Sequence, residues 1–129
     1  MRHPSAGVLR SVTATPFLPA RQAMKGMFEI MARLTLDIRN DVRIDFPHTI
    51  ASVERIDSCC RRLIIGCDSV LDKAHALGTK MQTEANDSTQ FSLGQTTDDL
   101  EIISRELRDL QESAQDLVRK LKRLEQMAR

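Results

Sequence analysis

The sequence has few aromatic side chains: Phe occurs four times, and Trp and Tyr are absent. Proteins that bind single-stranded nucleic acid stack bases on aromatic rings, and this chain has few to offer. A net charge of +1 also gives no overall attraction for phosphate backbones. These absences argue against nucleic acid as the main partner, and they leave Leu, Ile, Val and Met to form the core.

Long apolar runs are absent as well. The nearest approach is Leu63, Ile64 and Ile65, followed at once by Gly66, whereas a membrane-spanning helix needs about 18 to 20 such residues. We therefore predict no transmembrane segment, which leaves peripheral contact with a membrane surface open.

Motifs that carry catalytic or metal chemistry are missing too. The chain has no nucleophile elbow, P-loop, dinucleotide-binding glycine pattern or HExxH motif. Cys59, Cys60 and Cys67 form no CxxC pair, and their clustering fits reduced, packed thiols better than zinc ligands. Asp72 and His75 share a helix face, but the second such motif that a di-iron bundle needs is not present. We predict no enzymatic activity, no bound metal and no cofactor.

The chain does contain an unbroken heptad repeat at its C-terminal end. Apolar residues alternate at steps of three and four, with polar side chains at nearly every other position, which is typical of a helix that packs against another helix along a narrow seam. The seam consists of Leu100, Ile103, Leu107, Leu110, Ala114, Leu117, Leu121, Leu124 and Ala128.

A second helix with a broader apolar face precedes this seam. This helix has an extra column of apolar residues, which consists of Ile50, Ile64 and Leu71. The extra column predicts contact with two neighbouring helices, which favours a bundle over a two-stranded coil. The face consists of Ile50, Val53, Ile56, Leu63, Ile64, Val70, Leu71 and Leu77.

A shorter, methionine-rich helix comes first. Methionine can form an adaptable docking surface, but it more often fills irregular gaps in a core, and we favour the core-filling interpretation. The apolar face of this helix consists of Met24, Met27, Phe28, Met31, Leu34 and Ile38.

The predicted fold is all-α, with helices at about 20–44, 48–84 and 97–128, a turn at Pro47 and a polar loop at 85–96. Thr96, followed three residues later by Asp99, is typical of a helix start. The long helices have similar lengths and out-of-phase seams, which predicts an antiparallel hairpin with a shorter N-terminal helix, an extended three-helix bundle. In the alternative, Phe91 and Leu93 remain helical and the C-terminal region forms one rod.

Residues 1–19 are predicted to be a flexible basic tail ahead of the helical domain at 20–129. No acidic residue precedes Glu29, a composition typical of a mitochondrial presequence, yet three prolines shorten any helix there. We favour an exposed arm and a cytoplasmic protein, and the alternative is a cleaved presequence and a protein of the mitochondrial matrix.

Charge along the last helix is divided by sign. Residues 98–116 carry seven acidic residues against two arginines, and residues 117–129 carry five basic residues against one acidic residue. This pattern complements the helix dipole and also favours antiparallel pairing with a similar helix.

We predict a non-enzymatic coiled-coil subunit that assembles with other helical proteins, or with a second copy, in a scaffold or tethering complex. The extra column of the second helix and the methionine-rich first helix are the predicted partner surface. In another alternative, the basic residues of 119–123 bind an anionic surface or nucleic acid.

Overall fold

The computed structural model describes residues 18–81 and 87–128, which form three α-helices. They are α1 (Leu18–Arg39), α2 (Phe46–Met81) and α3 (Asp87–Ala128). The described residues contain no strand, and the helices form an all-α bundle built on a hairpin of α2 and α3. The predicted fold class is confirmed. The proposed presequence and most of the basic tail lie outside the described residues.

α1 and α3 are both antiparallel to α2, and the three helices pack around one apolar core. Ala20, at the start of α1, lies beside Leu63 and Leu107, whereas Ile38, at its end, lies beside Phe46 and Leu124. The direction of α1 is therefore opposite to that of α2, and α1 occupies the groove between the two long helices.

The lengths of the three helices differ. At 1.5 Å per residue, the 22 residues of α1 span about 33 Å, whereas α2 and α3, with 36 and 42 residues, span about 54 Å and about 63 Å. α1 begins at the level of Leu63 and Leu107 and ends at the level of Phe46 and Leu124. It therefore covers only the part of the hairpin between these two levels. The remaining part consists of α2 and α3 alone.

The predicted end of the first helix, at residue 44, is wrong by five residues. Asp41 has a φ of 55°, its N–H donates to the carbonyl of Ile38, and the N–H of Val42 donates to the carbonyl of Asp37. This is a Schellman motif, which satisfies the last carbonyls of the helix and turns the chain away from its axis. Val42 and Ile44 continue the apolar spacing beyond the end of the helix.

The helix starts also differ from the prediction. Leu18 and Pro19, assigned to the tail, form the first turn of α1, where proline lacks only an N–H that the helix leaves unpaired. At α2, Asp45 is the N-cap: its Oδ1 accepts from the N–H of His48 at 3.2 Å, and Pro47 fits in the first turn.

The predicted loop at 85–96 is the largest error, because α3 already begins at Asp87. Thr97 lies within α3, well after its first turn, and its hydroxyl donates to the carbonyl of Leu93 at 2.9 Å. Leu93 is half-buried, and its Cδ2 would lie 3.4 Å from a methyl group added at Gly78 of α2. Packing of Leu93 against α2 therefore offsets the cost of Gly94 inside the helix, which is about 1 kcal/mol relative to Ala.

Polar contacts across the hairpin define its register. Asp68 accepts from Ser104 Oγ at 3.1 Å and from Arg108 at 2.6 Å, and Asp57 accepts from the side-chain amides of Gln111 and Gln115. A seam of apolar side chains alone can tolerate a shift of one heptad, whereas these carboxylates meet these partners in a single alignment. The register of α2 against α3 is therefore specified by Asp57 and Asp68.

Candidate interaction groove

The predicted seam of α3 lies inside the molecule except at its last residue, Ala128, which is exposed. Leu100, Ile103, Leu107, Leu110, Ala114, Leu117 and Leu121 are buried, and Leu124 is half-buried. Their main partner is α2 of the same chain. The seam is therefore satisfied within the chain and is not available to another protein.

The methionine-rich face of α1 is also internal. Met24, Met27 and Met31 are each at most 8% exposed and belong to the core. Leu34 and Ile38 pack against that core, whereas Phe28 is 47% exposed. The core-filling interpretation is confirmed, and the prediction that these methionines form the partner surface is wrong because α1 lies in the groove of the hairpin.

The predicted face of α2 divides into two parts. The residues beneath α1 are buried or half-buried: Ile50, Val53, Ile56, Leu63 and Ile64. The extra column was the other predicted partner surface, but Ile50 and Ile64 are buried and Leu71 is half-buried against the core. Val70 and Leu77, which lie beyond the start of α1, are 46% and 48% exposed. On the predicted face of α2, the exposed apolar residues therefore begin where α1 begins.

We call this exposed surface the distal groove, formed by residues 70–80 of α2 and residues 91–102 of α3. Val70 lines the same depression as Ala20 of α1 and Leu100 of α3, and Leu77 lies two turns further along α2. The distal groove is therefore the direct continuation of the groove that α1 fills elsewhere.

Charged side chains flank the apolar residues of the distal groove. Lys73 and Lys80 are exposed beside Val70 and Leu77 on α2. Asp99 is exposed on α3 at the same level of the antiparallel hairpin, whereas Asp98 lines a separate depression with His75, Thr79 and Thr97.

Two of the three cysteines lie in the core, and all three are free thiols. Cys67 is 9% exposed, and its thiol donates to the carbonyl of Leu100 at 3.2 Å. Burial, with a smaller effect of Asp68, raises the pKa of Cys67, although Arg108 acts in the opposite direction. Burial also raises the pKa of Cys60 to about 11. Both thiols remain protonated near neutral pH, so they contribute packing and are poor nucleophiles.

Asp72 and His75 of α2, the other residues considered for chemistry, are both exposed. No group of three or more His, Cys, Asp or Glu side chains is arranged to hold a metal ion within 18–81 and 87–128. His75 is exposed, with its Nε2 at 3.7 Å from Glu101 Oε1. Among the same residues, no helix has the length and apolar character to cross a membrane.

The basic run near the end of α3 is exposed at Arg119, Lys120, Lys122 and Arg123. Arg119 pairs with Asp116 on the preceding turn. Leu121, which lies between Lys120 and Lys122 in the sequence, is buried. These residues thus form the solvent-exposed side of a helix whose other side belongs to the core.

Comparison with known proteins gives no relative: neither a family model, nor a curated protein, nor a solved structure matches the chain. A function for the chain is therefore inferred from its geometry.

Proposed function

We propose that the protein is a non-enzymatic, helical interaction subunit that joins other helical proteins in a multiprotein complex through the distal groove. The observation that supports this proposal is the exposure of Val70 and Leu77 in a groove that α1 fills over the rest of its length. Apolar surface that continues an occupied helix-binding groove is typical of a protein interface.

The hairpin itself is well suited to present such a groove. Its seam is buried, and the described residues leave no buried side-chain nitrogen or oxygen without a hydrogen-bond partner. A groove built on two helices in a fixed register is preorganised, so a partner does not have to order it on binding. The protein acts as a scaffold, which we assign to the cytoplasm, with the mitochondrial matrix as the alternative.

The size of the protein in a cell extract tests this proposal. The full chain, fused to a fluorescent protein and expressed at low level, is followed by fluorescence-detected sedimentation, which separates a complex from the 14.6 kDa chain with its tag. We expect the wild-type chain to sediment as a larger complex. We expect the double variant Val70→Asp, Leu77→Asp to sediment as the monomer, because charges in the groove oppose burial of its floor.

Leu36→Asp is the matched control. Leu36 is 53% exposed on the outer side of α1, so this variant adds the same charge at a similar exposure but away from the groove. We expect it to remain in the complex. Monomeric wild-type protein in extract, or a double variant that stays in the complex, would contradict the proposal.

A fusion of residues 1–30 to a fluorescent reporter distinguishes the two compartments. Diffuse fluorescence in the cytosol would exclude mitochondrial import, and fluorescence in mitochondria would exclude the cytoplasmic assignment.

A further inference from the structure

We infer that residues 11–17 of the same chain cover the distal groove until a partner displaces them. This inference rests on the proposed function, because it names the regulation of the same groove. Residues 1–17 lie outside the described residues, and their composition alone predicts an exposed arm. The position of the groove beside the start of α1, together with the residue pattern of 11–17, favours a docked segment instead.

The distal groove lies beside the point at which the chain enters α1. Ala20, in the first turn of α1, lines a depression of about 320 Å³ with Val70 of α2 and Leu100 of α3. Because α1 is antiparallel to α2, a line drawn back from Leu18 along the axis of α1 leads from Val70 toward Leu77. The chain that precedes Leu18 therefore starts at one end of the groove.

A cover for this groove has to be apolar. Apart from Arg62, the described residues that line the depression are apolar or glycine. Val70 and Leu77 are 46% and 48% exposed, and apolar side chains packed on them would remove that surface from water. The volume of the depression is comparable to that of pockets that bind small molecules, so it can hold side chains of a docked segment.

Residues 11–16 have the pattern of an extended segment with one apolar side. Hydroxyl residues alternate with apolar residues, in the order Ser11, Val12, Thr13, Ala14, Thr15 and Pro16. Strict alternation of this kind is typical of a half-buried extended chain. Val and Thr favour extended backbone, as does the position before a proline. We expect the apolar side to face the groove and the hydroxyl side to face water.

The length of this segment matches the length of the groove. The distance from Val70 to Met81, the last residue of α2, is about 17 Å at 1.5 Å per residue. At about 3.3 Å per residue, residues 11–16 span about 20 Å when extended. Phe17 then joins the segment to Leu18, the first residue of α1. The segment can therefore reach along the whole groove without an additional linker.

Covalent connection favours this occupant over a separate molecule. A segment joined directly to α1 has an effective concentration on the order of millimolar at the groove. A weak contact is then enough to cover the groove in the free chain, whereas a second copy or a partner has to bind more tightly to displace the segment. The cover shields the apolar floor, which would otherwise favour non-specific association, until such a partner is present.

A small diazirine amino acid at position 70 of the purified full chain tests the cover directly. Unlabelled and isotope-labelled chains are mixed in dilute solution, irradiated and digested, so that mass spectrometry distinguishes crosslinks within one chain from crosslinks between two. We expect crosslinks from position 70 to residues 11–17 of the same chain. Position 36, on the outer side of α1, is the control and should give none. Crosslinks to a second copy, or no crosslink to residues 11–17, would overturn the inference.

Two double variants with the same added charge test which side of the segment meets the groove. Val12→Asp with Ala14→Asp adds carboxylates to the apolar side, and Thr13→Asp with Thr15→Asp adds them to the hydroxyl side. We expect the first to lower the yield of the crosslink roughly tenfold, because a carboxylate opposes burial, and the second to leave the yield nearly unchanged. Equal yields from the two variants would overturn the inference. Circular dichroism of both variants checks that the helices are unchanged.

Sedimentation in diluted cell extract, where the wild-type complex partly dissociates, connects the cover to the partner. The apparent affinity for a partner is lowered by the fraction of chains whose groove is covered. We therefore expect the variant with Asp at positions 12 and 14 to remain in the complex to a greater extent than the wild-type chain. An equal or smaller fraction in the complex would overturn the regulatory role of the segment.

The two proposals fail in different ways. A wild-type chain that sediments in a complex but gives no crosslink to residues 11–17 would overturn the inference and leave the proposed function intact. A chain that gives the crosslink but sediments as a monomer in undiluted extract would support the cover and contradict the proposed function.

Discussion

Replacement of Met27 by Glu tests whether α1 is a separately docked element on a hairpin that is stable without it. Met27 is 7% exposed, and with Met24 and Met31 it provides the buried contacts of α1. Burial of one such side chain contributes roughly 1.5–3 kcal/mol. A carboxylate at the same place either loses its hydration, at a cost of several kcal/mol, or leaves the core together with α1.

We expect α1 to leave, since it makes far less contact with the hairpin than α2 and α3 make with each other. The free energy of opening α1 then falls by at least about 2 kcal/mol, which increases the amide exchange rates in α1 by roughly 30-fold. Amides of α2 and α3 around Leu107 and Leu110 keep most of their protection. Hydrogen exchange measured residue by residue checks both expectations.

Leu36→Glu is the control, because it adds the same side chain to the exposed side of α1. Glu and Met have similar helix propensities, so the two variants differ mainly in the burial of the replaced residue. The reasoning is refuted if Met27→Glu and Leu36→Glu give the same exchange rates in α1. It is also refuted if Met27→Glu lowers protection equally in all three helices, because α1 and the hairpin would then unfold as one unit.

Four further substitutions and one labelling experiment test the packing and the thiols. We expect Leu107→Ala, at a fully buried position, to lower the free energy of unfolding by about 2–5 kcal/mol in urea denaturation, and Ile65→Ala, at a position 64% exposed, to change it far less; similar losses at both sites would contradict the assigned core. Gly94→Ala should raise the melting temperature, since a methyl group there meets no atom within 4 Å and Ala is favoured over Gly in a helix by about 1 kcal/mol; a lower melting temperature would place residue 94 outside a helix. The raised pKa of Cys60, about 11 against an ordinary 9.0, means that the folded state disfavours the thiolate. The contribution of the protonated Cys60 thiol to the free energy of unfolding is therefore complete below pH 9 and is lost as pH rises toward 11, by up to about 2–3 kcal/mol relative to a Cys60→Val variant. Parallel profiles of stability against pH for the two proteins would refute the assignment. We also expect iodoacetamide to modify the half-buried Cys59 before Cys60 in the native protein, as mass spectrometry of the labelled peptides would show.

The apolar periodicity predicted the three helices and the hairpin because it reflects burial directly. The seam from Leu100 to Leu121 is buried throughout, as a repeat of three and four residues requires when one face of a helix meets another helix. Helix ends were harder to predict. The apolar spacing continues through Val42 and Ile44, although Asp41 has already turned the chain, and an aspartate with positive φ has no distinctive signal in the sequence.

The start of α3 had a signal that supported the alternative in which Phe91 and Leu93 remain helical, an alternative that the prediction considered and did not favour. Leu93 lies one heptad before Leu100, in the same register, so the seam itself indicated a helix through this segment. The polar composition around Gly94 was given more weight. Local propensity is a weak guide when a half-buried leucine packs against a neighbouring helix, and that contact depends on the fold of the whole hairpin.

The exposed apolar residues of α2 could be predicted only in part. Val70 and Leu77 were recognised as members of an apolar face, but so were Ile50 and Ile64, which the structure buries. Exposure along α2 depends on where α1 begins, and that is a property of how the helices are arranged. The spacing of residues within α2 does not reveal the point at which α1 begins beside it.

The difference in length between α1 and the two long helices has a mechanical consequence. The resistance of a rod to bending rises steeply with its cross-section, so the end of the bundle with three helices is stiffer than the end with two. The protein then behaves as a cantilever, with a rigid base and a more compliant arm that carries the distal groove. A helix bound in the distal groove would add a third layer along the arm and stiffen it, so that binding would change the elasticity of the protein.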